Sequence, residues 1–493
     1  MSKRSLLAIL CALAVVPAAL FAAGQTEAGG AGEKQIQILN GTNWPIPADV
    51  DVNDNQWTQV YEDAVGANIE WIIVPNSGLV EKKNVLIATG QVPDLFPVTD
   101  QEMVSFAEDG VIRPLDDLVD QHFQNQSEWF DRSTLSAAMY NGQQYRLLTP
   151  GFPLRNPRTL YVRQDWLDAL SLPVPTTLDQ VTETMMAFTF EDPDGNGEDD
   201  TFGYSGTANL GLMHWAFGPF GVNEDHWSEV SGEIVPDIIR PEMKEALLYI
   251  AGLYESGVYD RDSLLQANPQ VEERVTAGYI GFTEFFSNGV ENRINPALQE
   301  TGALLAPIEP IAGPDGARMY PTAAAIWGRY GVSAVSEFPE VPVQIFSWLL
   351  QPNEDADGYI SINADKINMG TVGVHSVLDP VNNYLLESGR DEIYRMSYRL
   401  MGGYVHVAPL EQLEGTVRNY DAIAAVAPYA HTSEKAVVGP LEAEGWSELK
   451  TYFDEVKMGI VTGNQPASAF DDWVEFFLAN GGQEIIDEAN ANR

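Results

Sequence analysis

Between Gln35 and Val98 the hydrophobic period switches back and forth between two and three-to-four residues, and this alternation narrows the fold more than any single motif. Gln35 to Asn40 (QIQILN) alternates polar and apolar residues and reads as a strand. Trp57, Val60, Tyr61 and Ala64 then recur at helical spacing, Ile69 to Val74 reads as a second strand, Leu79 to Ala88 as a helix, and Leu95 to Val98 as a short third strand. The order β-α-β-α-β predicts an α/β lobe with a largely parallel sheet, whose ligands gather at the carboxyl ends of the strands. Gly90 and Pro93 punctuate the turn into the third strand, which places Thr99 and Asp100 at such an end.

A chain of 493 residues exceeds one compact core and implies at least two lobes. After a stretch rich in Gly, Pro and Asn (Asn141 to Pro157), the run Leu160 to Arg163 opens a second unit. Thr177 with Gln180 forms a capping-box signature for a helix over Leu178 to Phe190. Pro241 suits the first turn of a helix through Tyr254 that Gly257 closes. Ala303 to Pro310 and Thr322 to Val335 read as strand and loop, Val343 to Leu350 as a buried helix, and the last fifty residues as amphipathic helices.

With 71 acidic against 27 basic residues the formal charge is -44, and such a surface repels polyanions, which argues against a nucleic-acid partner. A saline habitat accounts for this acidity as readily as a ligand would. Lys3 and Arg4, the apolar run Leu6 to Ala23 and the small residues Ala22-Ala23-Gly24 read as an export signal over residues 1–24, followed by a flexible polar linker over 25–34. The one cysteine, Cys11, lies inside the apolar run with the wrong neighbours for lipid attachment. The mature chain is therefore expected to be exported without a lipid anchor, to hold no disulfide and to lack a thiol nucleophile.

Asp192-Pro193-Asp194-Gly195-Asn196-Gly197-Glu198-Asp199-Asp200-Thr201 places oxygen-bearing side chains at every second position around a glycine at the sixth, the spacing with which a short loop wraps a hard cation. Asp192, Asp194, Asn196, the Glu198 carbonyl, Asp200 and Thr201 are the expected ligands of a structural Ca2+. The usual glutamate at position twelve is absent, and Gly203 stands there. Extracellular loops of this kind bind at about 10⁻⁴ to 10⁻³ M.

No catalytic constellation emerges. The six histidines lack metal-ligand spacing, there is no GxSxG elbow and no phosphate loop, and carboxylate pairs can be drawn anywhere in so acidic a chain. The aromatics say more: Trp44 follows the first strand, Trp215 and Trp227 lie in a Gly/Pro-broken segment, and Phe285 and Trp327 fall near strand ends. Sugar rings stack on such faces while amides, carboxylates and guanidinium groups bond hydroxyls. The candidate ligand-binding residues are Trp44, Thr99, Asp100, Arg158, Trp215, Trp227, Phe285 and Trp327, with Arg155 and Arg163 as further carboxylate partners.

Several segments together resemble the extracellular solute-binding proteins of ABC importers, in the carbohydrate-associated family 1 and the branch of alginate- and oligosaccharide-binding members. These are Glu81-Lys82-Lys83-Asn84 with Ala88-Thr89-Gly90-Gln91-Val92-Pro93-Asp94, then Leu160 to Leu167, Val174-Pro175-Thr176-Thr177, residues 192–203, Ile460-Val461-Thr462-Gly463, and Phe470 to Trp473. The resemblance implies a periplasmic-binding-protein-like fold, with two α/β lobes, a hinge and a ligand cleft between the lobes. It implies lobes at 35–152 plus 305–338 and at 153–304 plus 339–493, and structural calcium at Asp192, Asp194, Asn196, Glu198 and Asp200. It also implies a non-enzymatic, monomeric periplasmic protein that captures an oligosaccharide and delivers it to inner-membrane ABC permease subunits. A secreted polysaccharide-cleaving enzyme and a calcium-dependent surface lectin are the alternatives.

Overall fold

The computed structural model describes residues 34–42, 46, 50–130, 132–150, 154, 156–322, 326–351, 359–360, 376–379, 384–387, 406–407, 420–435 and 438–491. The export signal, nearly all of the linker, Trp44 and Arg155 lie outside the described residues.

The alternation at the start of the chain is realised as strand Lys34–Thr42, helix Gln56–Val65, strand Ala67–Pro75, helix Asn76–Ala88 and strand Leu95–Pro97. The first two strands pair in parallel along their whole length, Lys34 opposite Ala67 through Thr42 opposite Pro75, and Ile38 pairs with Leu95 in the third. Two more strands complete this sheet: Ile326–Val332 runs antiparallel both to Leu95–Pro97 and to Arg146–Pro150. A segment almost two hundred residues downstream thus returns to finish the first lobe.

The second sheet orders Leu305–Pro307, Arg158–Arg163, Ile280–Phe286 and Phe202–Tyr204. Arg158–Arg163 is antiparallel to both of its neighbours, and Ile280–Phe286 is parallel to Phe202–Tyr204. Leu178–Phe190 forms with Thr177 as its N-cap, and Pro241–Ser256 ends at Gly257 in the left-handed region (φ 82°), a conformation that costs glycine least. Their apolar stripes join the C-terminal helices Pro440–Val461, Ala469–Phe477 and Gln483–Ala491 in one core with Val162, Trp166 and Phe282.

Two lobe boundaries need correction. Leu305–Pro307 pairs with Arg158–Arg163, so it belongs to the second lobe. Helix Glu340–Leu349 buries Val341, Ile345, Phe346 and Leu349 against Ile36, Trp71 and Leu147, so it belongs to the first. Both shifts follow from burial: each segment pairs or packs its apolar face against the nearer sheet.

Candidate functional site

Between the two sheets lies a cavity of about 840 Å³ to which both lobes contribute, Asp100 and Arg329 from the first and Arg158, Glu284 and Trp227 from the second. Strand Ile280–Phe286 fixes much of its chemistry. Successive residues of a strand face opposite ways, so Glu284 and Phe286 share the cavity face and Phe285 turns to the other side.

Glu284 has no solvent exposure, yet its carboxylate is fully engaged. It accepts from Arg158 Nε at 2.8 Å and from the Trp215 backbone N–H at 3.1 Å, and His214 Nδ1 stands 3.4 Å away. Burial alone would raise this carboxyl, but His214 and Arg158 outweigh it and hold it down at about 2. Arg158 also contacts the His214 ring, and its guanidinium carbon lies 5.6 Å from the centroid of the Phe286 ring.

Across the cavity Asp100 opens helix Asp100–Glu108. Its Oδ1 pairs with the buried Arg146 at 2.7 Å and with Arg329 at 3.4 Å, so two guanidinium groups share one carboxylate. The third wall is aromatic. Trp227 and Trp446 stack with centroids 5.6 Å apart and planes 30° from parallel, and the Lys435 ammonium sits 4.4 Å from the Trp227 ring while pairing with Glu442. Burial pushes Lys435 down and Glu442 up. Trp215 and Asn223 also line the cavity, and the Asn223 side-chain oxygen accepts from the Asp225 N–H at 3.1 Å.

Asp100, Arg158, Trp215 and Trp227 therefore come together. Thr99 stands one residue before the wall: its hydroxyl accepts from the Glu102 N–H at 3.2 Å and caps the helix. Phe285 packs with Val271, Ile280 and Leu298 on the far side of its strand, and Arg163 is buried in a two-point pair with Asp165. Trp327 belongs to strand Ile326–Val332, and its side chain lies outside those described. Glu284, His214, Arg329, Lys435 and Trp446 were not expected. Strand alternation could have favoured Phe286 over Phe285, but nothing local marks residues 435 and 446 as neighbours of Trp227.

In the acidic loop Asp192 accepts from the Asn196 and Gly197 N–H groups at 3.1 Å each. Asn196 donates to Asp194 at 2.9 Å and to Asp200 at 3.3 Å. Gly197 takes a φ of 80°, so the sixth position makes its sharp turn. Partial burial, with the charges of Asp200 and Asp192 adding to it, raises the Asp194 carboxyl, a crowding that a cation would relieve. This donor set suits a hard ion. Among the described residues, however, no three His, Cys, Asp or Glu side chains are gathered closely enough to hold a metal. Thr201 is a correction: it is buried and its hydroxyl donates to the Phe188 carbonyl at 2.8 Å, closing helix Leu178–Phe190 instead of facing the loop.

The profile described as bacterial extracellular solute-binding protein matches residues 56–364. The polygalacturonan/rhamnogalacturonan-binding protein YtcQ of Bacillus subtilis is 25% identical over 446 residues, which span 85% of this chain and 84% of that one. Among solved structures, alginate-binding protein AlgQ2 without calcium ion superposes with a TM-score of 0.70 at 15% identity, covering 93% of this chain and 97% of its own. The substrate-binding protein FusA of Streptococcus pneumoniae in complex with kestose gives 0.63 at 19% identity, over 93% and 100%. Two α/β lobes, a cavity between them and a profile match over most of the sequence place this chain in the bacterial extracellular solute-binding protein family.

Proposed function

We propose that this protein is the substrate-binding component of an ABC importer: it captures an oligosaccharide between its lobes and hands it to membrane permease subunits without chemical change. The observation that carries this reading is the cavity itself. Its volume falls in the range of small-ligand sites, and its walls combine tryptophan faces with fixed guanidinium, carboxylate and amide groups, the pairing that sugars require. YtcQ, AlgQ2 and FusA, which by their names bind polygalacturonan or rhamnogalacturonan, alginate and fructooligosaccharide, support the same class.

Two of the cavity's carboxylates, Glu284 and Asp100, are unsuited to the work of a hydrolase. A general acid must hold a proton near neutral pH, whereas Glu284 is kept ionised and its oxygens are occupied. Asp100 is likewise committed to two arginines. Ligand that binds the closed arrangement better shifts the lobes toward it, and that form docks on the permease.

Calcium held by Asp192, Asp194, Asn196, the Glu198 carbonyl and Asp200 is part of the proposal, as a brace far from any chemistry. So are export to the periplasm and a monomeric state.

The test is thermal shift and tryptophan fluorescence against oligogalacturonides, alginate oligomers and fructo-oligosaccharides, with a peptide library beside them. At least one sugar series should raise the melting temperature, perturb the emission and be recovered uncleaved. A response to peptides alone would overturn the carbohydrate assignment.

A further inference from the structure

A second concavity, of about 700 Å³, is formed by the second lobe alone on the far side of strand Ile280–Phe286, with Phe285 in its wall, and Phe286 at the strand's end lines both it and the interlobe cavity. This phenylalanine ends a strand whose other residues are all buried, yet it is itself 41% exposed. Arg158, which lines only the interlobe cavity, braces the ring from that side.

Beyond Phe286 the second concavity is polar, with Glu272, Glu273 and Arg293 as its charged groups. Arg293 makes a two-point pair with Glu272 at 2.9 and 2.8 Å. Asn156 Oδ1 accepts from the Asn288 N–H at 2.9 Å and the Ser287 hydroxyl at 3.1 Å, so the amide NH2 is the group it has left to donate. A guanidinium–carboxylate pair and an amide donor around an exposed ring edge are groups that bond hydroxyls while a ring stacks.

We infer that the two concavities form one continuous binding site, with Phe286 as the stacking platform between inner subsites and an outer one. The ligand is then an oligosaccharide longer than a disaccharide, running out of the interlobe cavity across Phe286. This rests on the carbohydrate reading above and adds the length of the ligand and the path it takes.

The experiment is calorimetric titration of the full protein with disaccharides and hexasaccharides of the three series named above. Two variants are compared with the native chain: Phe286→Ala removes the platform, and Ala297→Trp fills the second concavity from an exposed helical position. Native protein should bind a hexasaccharide at least about tenfold more tightly than the matching disaccharide. Ala297→Trp should erase most of that difference and leave disaccharide affinity within about twofold, and Phe286→Ala should weaken the hexasaccharide more than the disaccharide. If hexasaccharides bind but Ala297→Trp leaves the length preference intact, or no length preference exists, the continuous site is wrong and the carbohydrate reading stands. If no sugar of any length binds the native protein, both fall. Circular dichroism of each variant separates a blocked site from a misfolded lobe.

Discussion

At the scale of single residues the site is governed by charges that burial would otherwise extinguish. Glu284 titrates at about 2 in place of its ordinary 4.5. A depressed carboxyl contributes stability that is fully present above the unfolded value and is lost as pH falls through the folded one, so this contribution disappears between about pH 4.5 and 2. His226, buried beside His431, is held down at about 4 from 6.5. It must gain a proton to unfold in acid, so its contribution is present above pH 6.5 and fades as pH falls toward 4. Melting temperature should therefore decline in two overlapping stages, and Glu284→Gln should flatten the more acidic one. At neutral pH that variant strands Arg158 without its carboxylate and should cost about 3 kcal/mol by chemical denaturation. A pH profile unchanged by Glu284→Gln would show that the ion pair does not carry acid stability. None of this was legible in the sequence, since Arg158, His214 and Glu284 meet only after the chain has crossed the sheet twice.

At the scale of elements, the acidic loop shows why its motif is incomplete. Gly203, where a position-twelve glutamate would stand, lies so close to helix Leu178–Phe190 that a Cβ would come 2.6 Å from the Met185 Cβ and 2.7 Å from its carbonyl oxygen. Thr201 is tied to the same helix through the Phe188 carbonyl. The loop ends by docking on its own helix, and packing has displaced the last ligand. Gly203→Glu should therefore not strengthen calcium binding; it should destabilise the lobe by about 1–3 kcal/mol through overpacking. Chelation should lower the melting temperature of calcium-loaded protein, and Asp194→Ala should abolish the calcium-dependent part. An unchanged melt on chelation would remove calcium from the proposal. The sequence revealed the loop, helix Leu178–Phe190 and the opening alternation because each is written in local period and capping. Phe285 against Phe286 was a matter of register by one residue, which the period of the strand sets but its composition does not.

For the whole molecule, the lobes are built by exchange. Ile326–Val332 and Glu340–Leu349 leave the second lobe's neighbourhood to complete the first, and the C-terminal helices return to the second. Such returns depend on which apolar faces remain uncovered, a property of the assembled lobes and not of any local stretch. Helix Pro440–Val461 ties the arrangement together: Glu442 and Trp446 line the cavity, Ala443 packs against the first lobe, and Leu449, Phe453 and Ile460 enter the second lobe's core. Any relative movement of the lobes strains or relieves this helix near Trp446, so ligand-driven closure should appear both as a smaller radius of gyration in solution scattering and as a change in Trp446 emission. Charge sets the cost of that closure. Acidic residues outnumber basic ones in both lobes, and the chain as a whole carries -44, so bringing the lobes together works against like charge that salt screens within about 10 Å at 0.1 M. A neutral oligosaccharide has no charge of its own to be screened. Its affinity should therefore rise a few-fold between about 10 mM and 300 mM salt as the self-repulsion of the lobes is screened. A neutral ligand whose affinity is flat across that range, with the radius of gyration unchanged on binding, would show that capture proceeds without closure.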